Sequence, residues 1–104
     1  MTTERVAARA AARLDASVVR LCDYLRIPAI SCEPERADDV RRLAHRIADD
    51  LGQLGLDHAR VLELDGALPL VVADWLRAPG KPTVLVYGHL DLQPNGDGWS
   101  SPPH

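Results

Sequence analysis

The chain has 104 residues, 46% of them hydrophobic, which limits it to a single globular domain with a modest core. Its net charge of −3 produces no broad positive field, and an aromatic content of 4% offers no stacking surface, so a nucleic-acid partner is not expected. Charged residues interrupt the N-terminal segment, and no apolar run approaches the roughly 18 residues of a membrane span. We therefore expect neither a signal peptide nor a membrane partner.

The first predicted element is a helix over residues 3–26. Its apolar residues recur at a 4-3-4 spacing, which draws one stripe down a helix: Leu14, Val18, Leu21 and Leu25. Pro28 ends this helix, because the residue before a proline avoids the helical region. An extended connector, "IPAISCEPER", follows.

A second helix is predicted over residues 37–54, with Gly55 as its left-handed stop. Its apolar face consists of Val40, Leu43, Ile47, Leu51 and Leu54. Stripes of this kind usually form core, so we expect the two helices to pack on one sheet. The contacts should involve Leu14, Leu21, Leu43 and Ile47.

Three short runs rich in valine and leucine follow and predict strands: "HARVLEL", "LPLVVADWL" and "TVLVYG". The Asp65-Gly66 pair between the first two favours a hairpin. The uninterrupted "VLVY" is typical of a strand covered on both faces, so we expect residues 83–87 inside the sheet with a neighbour on each side. The predicted fold class is α/β, with two N-terminal helices packed on a mixed sheet.

Outside the third run, the histidines and cysteines carry little functional signal. His45 and His58 have no ligand partner at a metal-binding spacing, so both are predicted at the surface. Cys22 and Cys32 form no CxxC pair and are either one disulfide or two free thiols. Without a secretory signal, free thiols in the cytoplasm are the expected state.

The third run ends in a candidate site, His89 and Asp91. Side chains two positions apart in a strand point to the same side, so both project together from the strand's end. A histidine that binds a metal through one ring nitrogen normally donates its other N–H to a carboxylate or a carbonyl, and Gly88 leaves the approach open. A bare His-x-Asp also occurs often by chance, so the spacing alone favours a hydrogen-bonded structural pair over a metal ligand.

The wider string "VLVYGHLDLQP", followed by "GWSSPPH", resembles the zinc-dependent family of aminoacylases, carboxypeptidase G and carnosinase-type dipeptidases. Members of that family show an apolar strand, then Gly-His-x-Asp-x-x-Pro, then a tryptophan before a Pro-Pro-Phe-like segment. The Gln93-Pro94 ending and Trp99 favour the dipeptidase branch. His104 stands where that family usually has an aromatic residue.

This resemblance implies a role for each residue of the motif. His89 matches the family's first zinc ligand, and Asp91 matches the aspartate that orients this histidine without binding the metal itself. Two zinc ions, with Co²⁺ or Mn²⁺ as alternative ions, activate a water that attacks the amide bond of a small peptide or an N-acyl amino acid. The family's bridging aspartate, its glutamate base and its remaining ligands lie further along the chain.

Two interpretations follow. In the first, residues 1–104 are the N-terminal part of a zinc-peptidase catalytic domain, inactive alone, from a cytoplasmic enzyme whose complete form is compatible with a homodimer. One histidine cannot make the site, since catalytic zinc takes about three protein ligands. In the second, the chain is a non-catalytic α/β interaction module, in which His89 and Asp91 are a structural pair and a sheet edge binds a protein.

Overall fold

The computed structural model describes residues 1–104 and contains three α-helices and one sheet of two strands. The helices are α1 (Thr3–Ala12), α2 (Leu14–Leu25) and α3 (Ala37–Leu54), and a 3-10 helix, Pro34–Arg36, leads into α3. The strands are β1 (Asp57–Leu64) and β2 (Ala67–Asp74). The predicted α/β class is confirmed. None of the helices combines the length and the apolar character needed to cross a membrane.

The first predicted helix is two helices, because the backbone leaves the helical region at Arg13 (φ −105°, ψ 6°). The apolar stripe starts only at Leu14, so its spacing carried no information about the residues before it. Neither α1 nor α2 buries a residue, and Leu14 and Leu21 stay 61% and 53% exposed. The expectation that both side chains pack on the sheet was therefore wrong. A stripe shows which face can be buried, but a partner must be present to bury it.

The second predicted helix is confirmed with its bounds, as α3. It buries Val40, Leu43, Ala44 and Ala48. Gly55 ends it in the left-handed conformation with φ 101°. The Gly55 N–H donates to the carbonyl of Gly52, and the Leu56 N–H donates to that of Leu51, which satisfies two carbonyls at the helix end.

The predicted hairpin is confirmed as the antiparallel pair β1–β2, in which Val61 pairs with Val71 and Leu62 with Leu70. Helix α3 packs across both strands. Ala29, Val40 and Leu43 form the centre of the core, and Tyr24, Ile27, Ile47, Leu68 and Leu90 pack around them. The connector joins this core through one parallel bridge, Ile30 to Leu92, with the Leu92 N–H donating to the Ala29 carbonyl at 2.9 Å.

The third predicted strand does not form. Residues 83–88 make no strand pairing and no backbone hydrogen bond within the protein, and Leu85 and Val86 are 90% and 89% exposed. The expected place inside the sheet was wrong, and the sheet is antiparallel rather than mixed. A strand inside a sheet needs a neighbouring strand on each side to pair its backbone N–H and C=O groups. Neither strand of the hairpin pairs with this segment.

Candidate functional site

The two residues singled out by the sequence, His89 and Asp91, contact each other directly. His89 Nδ1 lies 2.8 Å from Asp91 Oδ1. An ionised carboxylate can only accept, so Nδ1 carries the proton and donates it. In the neutral ring, the other nitrogen, Nε2, then has the lone pair. The His89 side chain is 77% exposed, whereas that of Asp91 is 33% exposed.

Local packing holds the pair in place. Leu90, between the two polar residues, packs against the core, and Leu92 is bridged to Ile30 of the connector. Apolar and polar side chains therefore alternate, and the apolar ones anchor the segment while the polar ones stay accessible. The pair lies at the first point where the chain returns to the core after the exposed residues 83–88.

A third residue, Ser31, completes the cluster, and sequence reasoning missed it. The Ser31 hydroxyl donates a hydrogen bond to Asp91 Oδ2, so the two carboxylate oxygens have different donors. Sixty positions separate Ser31 from Asp91. No local pattern connects residues so far apart, and only the bridge between Ile30 and Leu92 brings them together.

The electrostatics keep Asp91 ionised. The hydrogen bond from Ser31, and then that from His89, hold the pKa of the Asp91 carboxyl below its ordinary value, while partial burial acts in the opposite direction. A carboxylate that remains charged at neutral pH accepts both bonds at once. It therefore holds the imidazole in the form that leaves Nε2 free to bind a metal ion.

The other histidines lie elsewhere. His45 and His58 are at the surface as predicted, and His58 Nδ1 lies 2.8 Å from Asp74 Oδ2 across the open end of the hairpin. The ring nitrogens of His104 lie 2.7 Å from the Leu25 carbonyl and 2.8 Å from Asn95 Oδ1.

No three histidine, cysteine or acidic side chains come together as a metal-binding group. Both cysteines are free thiols.

Comparison with known proteins finds dipeptidases among the relatives of this chain. The chain is 33% identical to Cys-Gly metallodipeptidase DUG1 of Candida albicans, over 83% of this chain and 20% of the relative. It is 31% identical to the protein of the same name from Saccharomyces cerevisiae, over 81% of this chain and 20% of the relative. It is also 39% identical to human Beta-Ala-His dipeptidase, over 65% of this chain and 13% of the relative.

No family model matches the sequence, and no solved structure matches the fold. The chain spans about a fifth of the length of the metallodipeptidases that it matches. The predicted resemblance is confirmed: over most of its length, this chain is homologous to dipeptidases of the Cys-Gly and carnosinase type.

Proposed function

We propose that residues 1–104 are the N-terminal part of the catalytic domain of a metal-dependent dipeptidase, to which they contribute one metal ligand and the group that orients it. The observation that carries this proposal is the 2.8 Å contact between His89 Nδ1 and Asp91 Oδ1, which in the neutral imidazole leaves Nε2 as the nitrogen that can bind a metal ion. The homology to proteins named metallodipeptidases supports the same conclusion.

The donor set suits zinc. A neutral imidazole nitrogen is a preferred zinc ligand, and a carboxylate behind the ring is its usual support. His89 would bind the ion and Asp91 would orient His89. The other ligands of a site with two zinc ions, and the general base, would come from residues outside these 104.

The reaction we assign is hydrolysis of the amide bond in a dipeptide or an N-acyl amino acid. When bound, zinc polarises the carbonyl and makes water a nucleophile at neutral pH. Asp91 holds the proton on Nδ1 and prevents the ring from turning. The names of the relatives, Cys-Gly and Beta-Ala-His, support small peptides as the substrate class. Two free thiols suit a reducing compartment, so we place the enzyme in the cytoplasm.

The test is substitution in the complete protein, with metal content and dipeptide turnover as readouts. Asp91→Ala should lower metal affinity or activity by about 10- to 100-fold, the usual cost of losing a carboxylate behind a metal ligand. His89→Ala should be worse, because it removes the ligand itself. His45→Ala, an exposed histidine on α3, is the matched control and should change neither readout.

One result would overturn the proposal, and another would remove part of it. Wild-type zinc content and turnover in His89→Ala would show that the histidine is no ligand. The non-catalytic interaction module would then be the better interpretation. Wild-type values in Asp91→Ala alone would remove only the orienting role.

A further inference from the structure

Asp91 can orient His89 only if its own carboxylate stays in one orientation. The terminal χ2 angle of an aspartate side chain has a broad distribution. With a single hydrogen bond to His89, the carboxylate could therefore still rotate about that bond. A second donor on the other oxygen removes this freedom. Ser31 is that donor, since its hydroxyl bonds Oδ2 while His89 bonds Oδ1.

Ser31 is itself held firmly. It follows Ala29 and Ile30, which are 0% and 2% exposed, and Ile30 forms the bridge to Leu92. A turn begins at Ile30, where the Glu33 N–H donates to the Ile30 carbonyl at 3.2 Å. The hydroxyl therefore projects from a fixed backbone, beside the segment that carries Asp91 and is bridged at Leu92.

From this geometry we infer that Ser31 is a positioning residue for the metal site, acting on His89 through Asp91. The chain of contacts runs from the Ser31 hydroxyl to Asp91 Oδ2, then from Asp91 Oδ1 to the N–H on His89 Nδ1. The inference rests on the proposed function, because it gives Ser31 a role in the site that His89 and Asp91 would form.

The chain offers matched variants for a test. Ser31→Ala removes the hydroxyl, whereas Ser31→Thr keeps one and should restore what alanine loses. Ser17→Ala is the control, because Ser17 is an exposed serine on α2 whose hydroxyl makes no hydrogen bond in the structure. Circular dichroism of each variant checks that the helices are intact.

The first measurement needs no metal. Nitrogen-15 NMR of the ring nitrogens of His89 reports which of them carries the proton. The wild-type and Ser31→Thr proteins should hold the proton on Nδ1, and Ser31→Ala should show a mixture of the two tautomers. The second measurement uses the complete protein with zinc: Ser31→Ala should weaken metal affinity and lower kcat by about tenfold, with KM unchanged.

The outcomes separate this inference from the proposed function. An unchanged His89 tautomer and unchanged zinc affinity in folded Ser31→Ala would overturn the role of Ser31, even if His89→Ala abolishes turnover. Failure of Ser31→Thr to restore either readout would also overturn it, since a hydroxyl alone should suffice. If the tautomer shifts in Ser31→Ala but His89→Ala keeps full turnover, the proposed function fails while the hydrogen-bonded chain stands.

Discussion

At the scale of single residues, two histidine–aspartate pairs have the same separation but different surroundings. The His58–Asp74 and His89–Asp91 contacts are both 2.8 Å long. Asp91 also accepts from Ser31, whereas Asp74 accepts from His58 alone. The first pair joins the ends of two strands, which is a structural role. A histidine–aspartate distance is therefore a weak indicator of function unless something fixes the carboxylate.

The same scale gives a test of how α3 ends. Gly55 has φ 101° with open space around its missing side chain, so Gly55→Ala meets no clash but forces alanine into the left-handed region. We expect a loss of about 1–2 kcal/mol in the free energy of unfolding, measured by urea denaturation.

Gly52→Ala is the matched control. It lies inside α3, and an added Cβ would meet only the Ala59 Cβ at 3.9 Å, an ordinary contact. Since alanine is the better helix former, this variant should be neutral or up to about 1 kcal/mol more stable. Equal effects of the two substitutions would show that backbone conformation does not decide the helix end.

At the scale of elements, α2 is tied to α3 by contacts of its last turn, those of Tyr24 and an Asp23–Arg46 ion pair, and not through Leu14 and Leu21. The Tyr24 hydroxyl donates to Asp50 Oδ2 at 2.6 Å, and the Arg46 guanidinium lies 5.8 Å from the centre of the tyrosine ring. Burial, followed by the hydrogen bond and the charge of Asp50, raises the pKa of Tyr24 to about 12.

This contact predicts a pH dependence. A raised pKa means that the folded protein holds the phenolic proton more tightly than the unfolded chain, whose tyrosine titrates near pH 10. The stabilisation is therefore complete below about pH 10 and is lost as the pH rises towards about 12. Tyr24→Phe should cost about 1 kcal/mol of unfolding free energy at about pH 8, and the difference should shrink across that window.

Phenolate absorbance measures the same pKa directly. The chain has two tyrosines, so Tyr87→Phe leaves Tyr24 as the only phenol. Titration of that variant near pH 10 would contradict the assigned contact with Asp50. Asp50→Asn should lower the pKa of Tyr24 by removing the neighbouring negative charge.

The elements also show what a sequence can and cannot predict. Helix α3 and the hairpin were predicted with nearly their observed bounds, because each has local signals: a stripe ending at Gly55, and a turn at Asp65-Gly66. The stripe of α2 and the apolar run at 83–88 were recognised, but their burial was not predictable. Burial depends on a partner surface, and a periodic pattern specifies only one side of that contact.

In the candidate site too, some residues were predictable from the sequence and one was not. His89 and Asp91 are two positions apart, a spacing that puts both side chains on one side of an extended chain, so their contact was predictable although the strand itself does not form. Ser31 depends on a single bridge between distant segments, which no spacing in the sequence indicates.

At the scale of the whole molecule, the chain is more open than an ordinary domain. Its radius of gyration is 16.4 Å, against about 13 Å expected for 100 residues in a compact domain. Only seven of its 104 residues are buried. The metal site we propose is open for the same reason, because one side of His89 faces solvent without a second ligand beside it.

We therefore expect the 104-residue chain to bind zinc weakly and to hydrolyse no dipeptide at a measurable rate. His89 supplies one ligand, whereas catalytic zinc takes about three, each of which adds affinity and fixes geometry. His104, at the end of the chain, is the candidate for a second zinc ligand. Its ring contacts Leu25 and Asn95 instead of approaching His89. We also propose that the general base lies outside these residues, so a bound ion would lack the group that takes the proton from water.

Calorimetric titration with zinc, beside dipeptidase assays with zinc, cobalt and manganese, measures both expectations. His89→Ala is the control for the ligand, and His104→Ala tests whether the terminal ring contributes. Submicromolar binding of one zinc per chain, lost in His89→Ala and accompanied by metal-dependent turnover, would contradict the expectation. The remaining ligands and the base would then have to lie within these residues, in an arrangement that brings acidic side chains or His104 to His89.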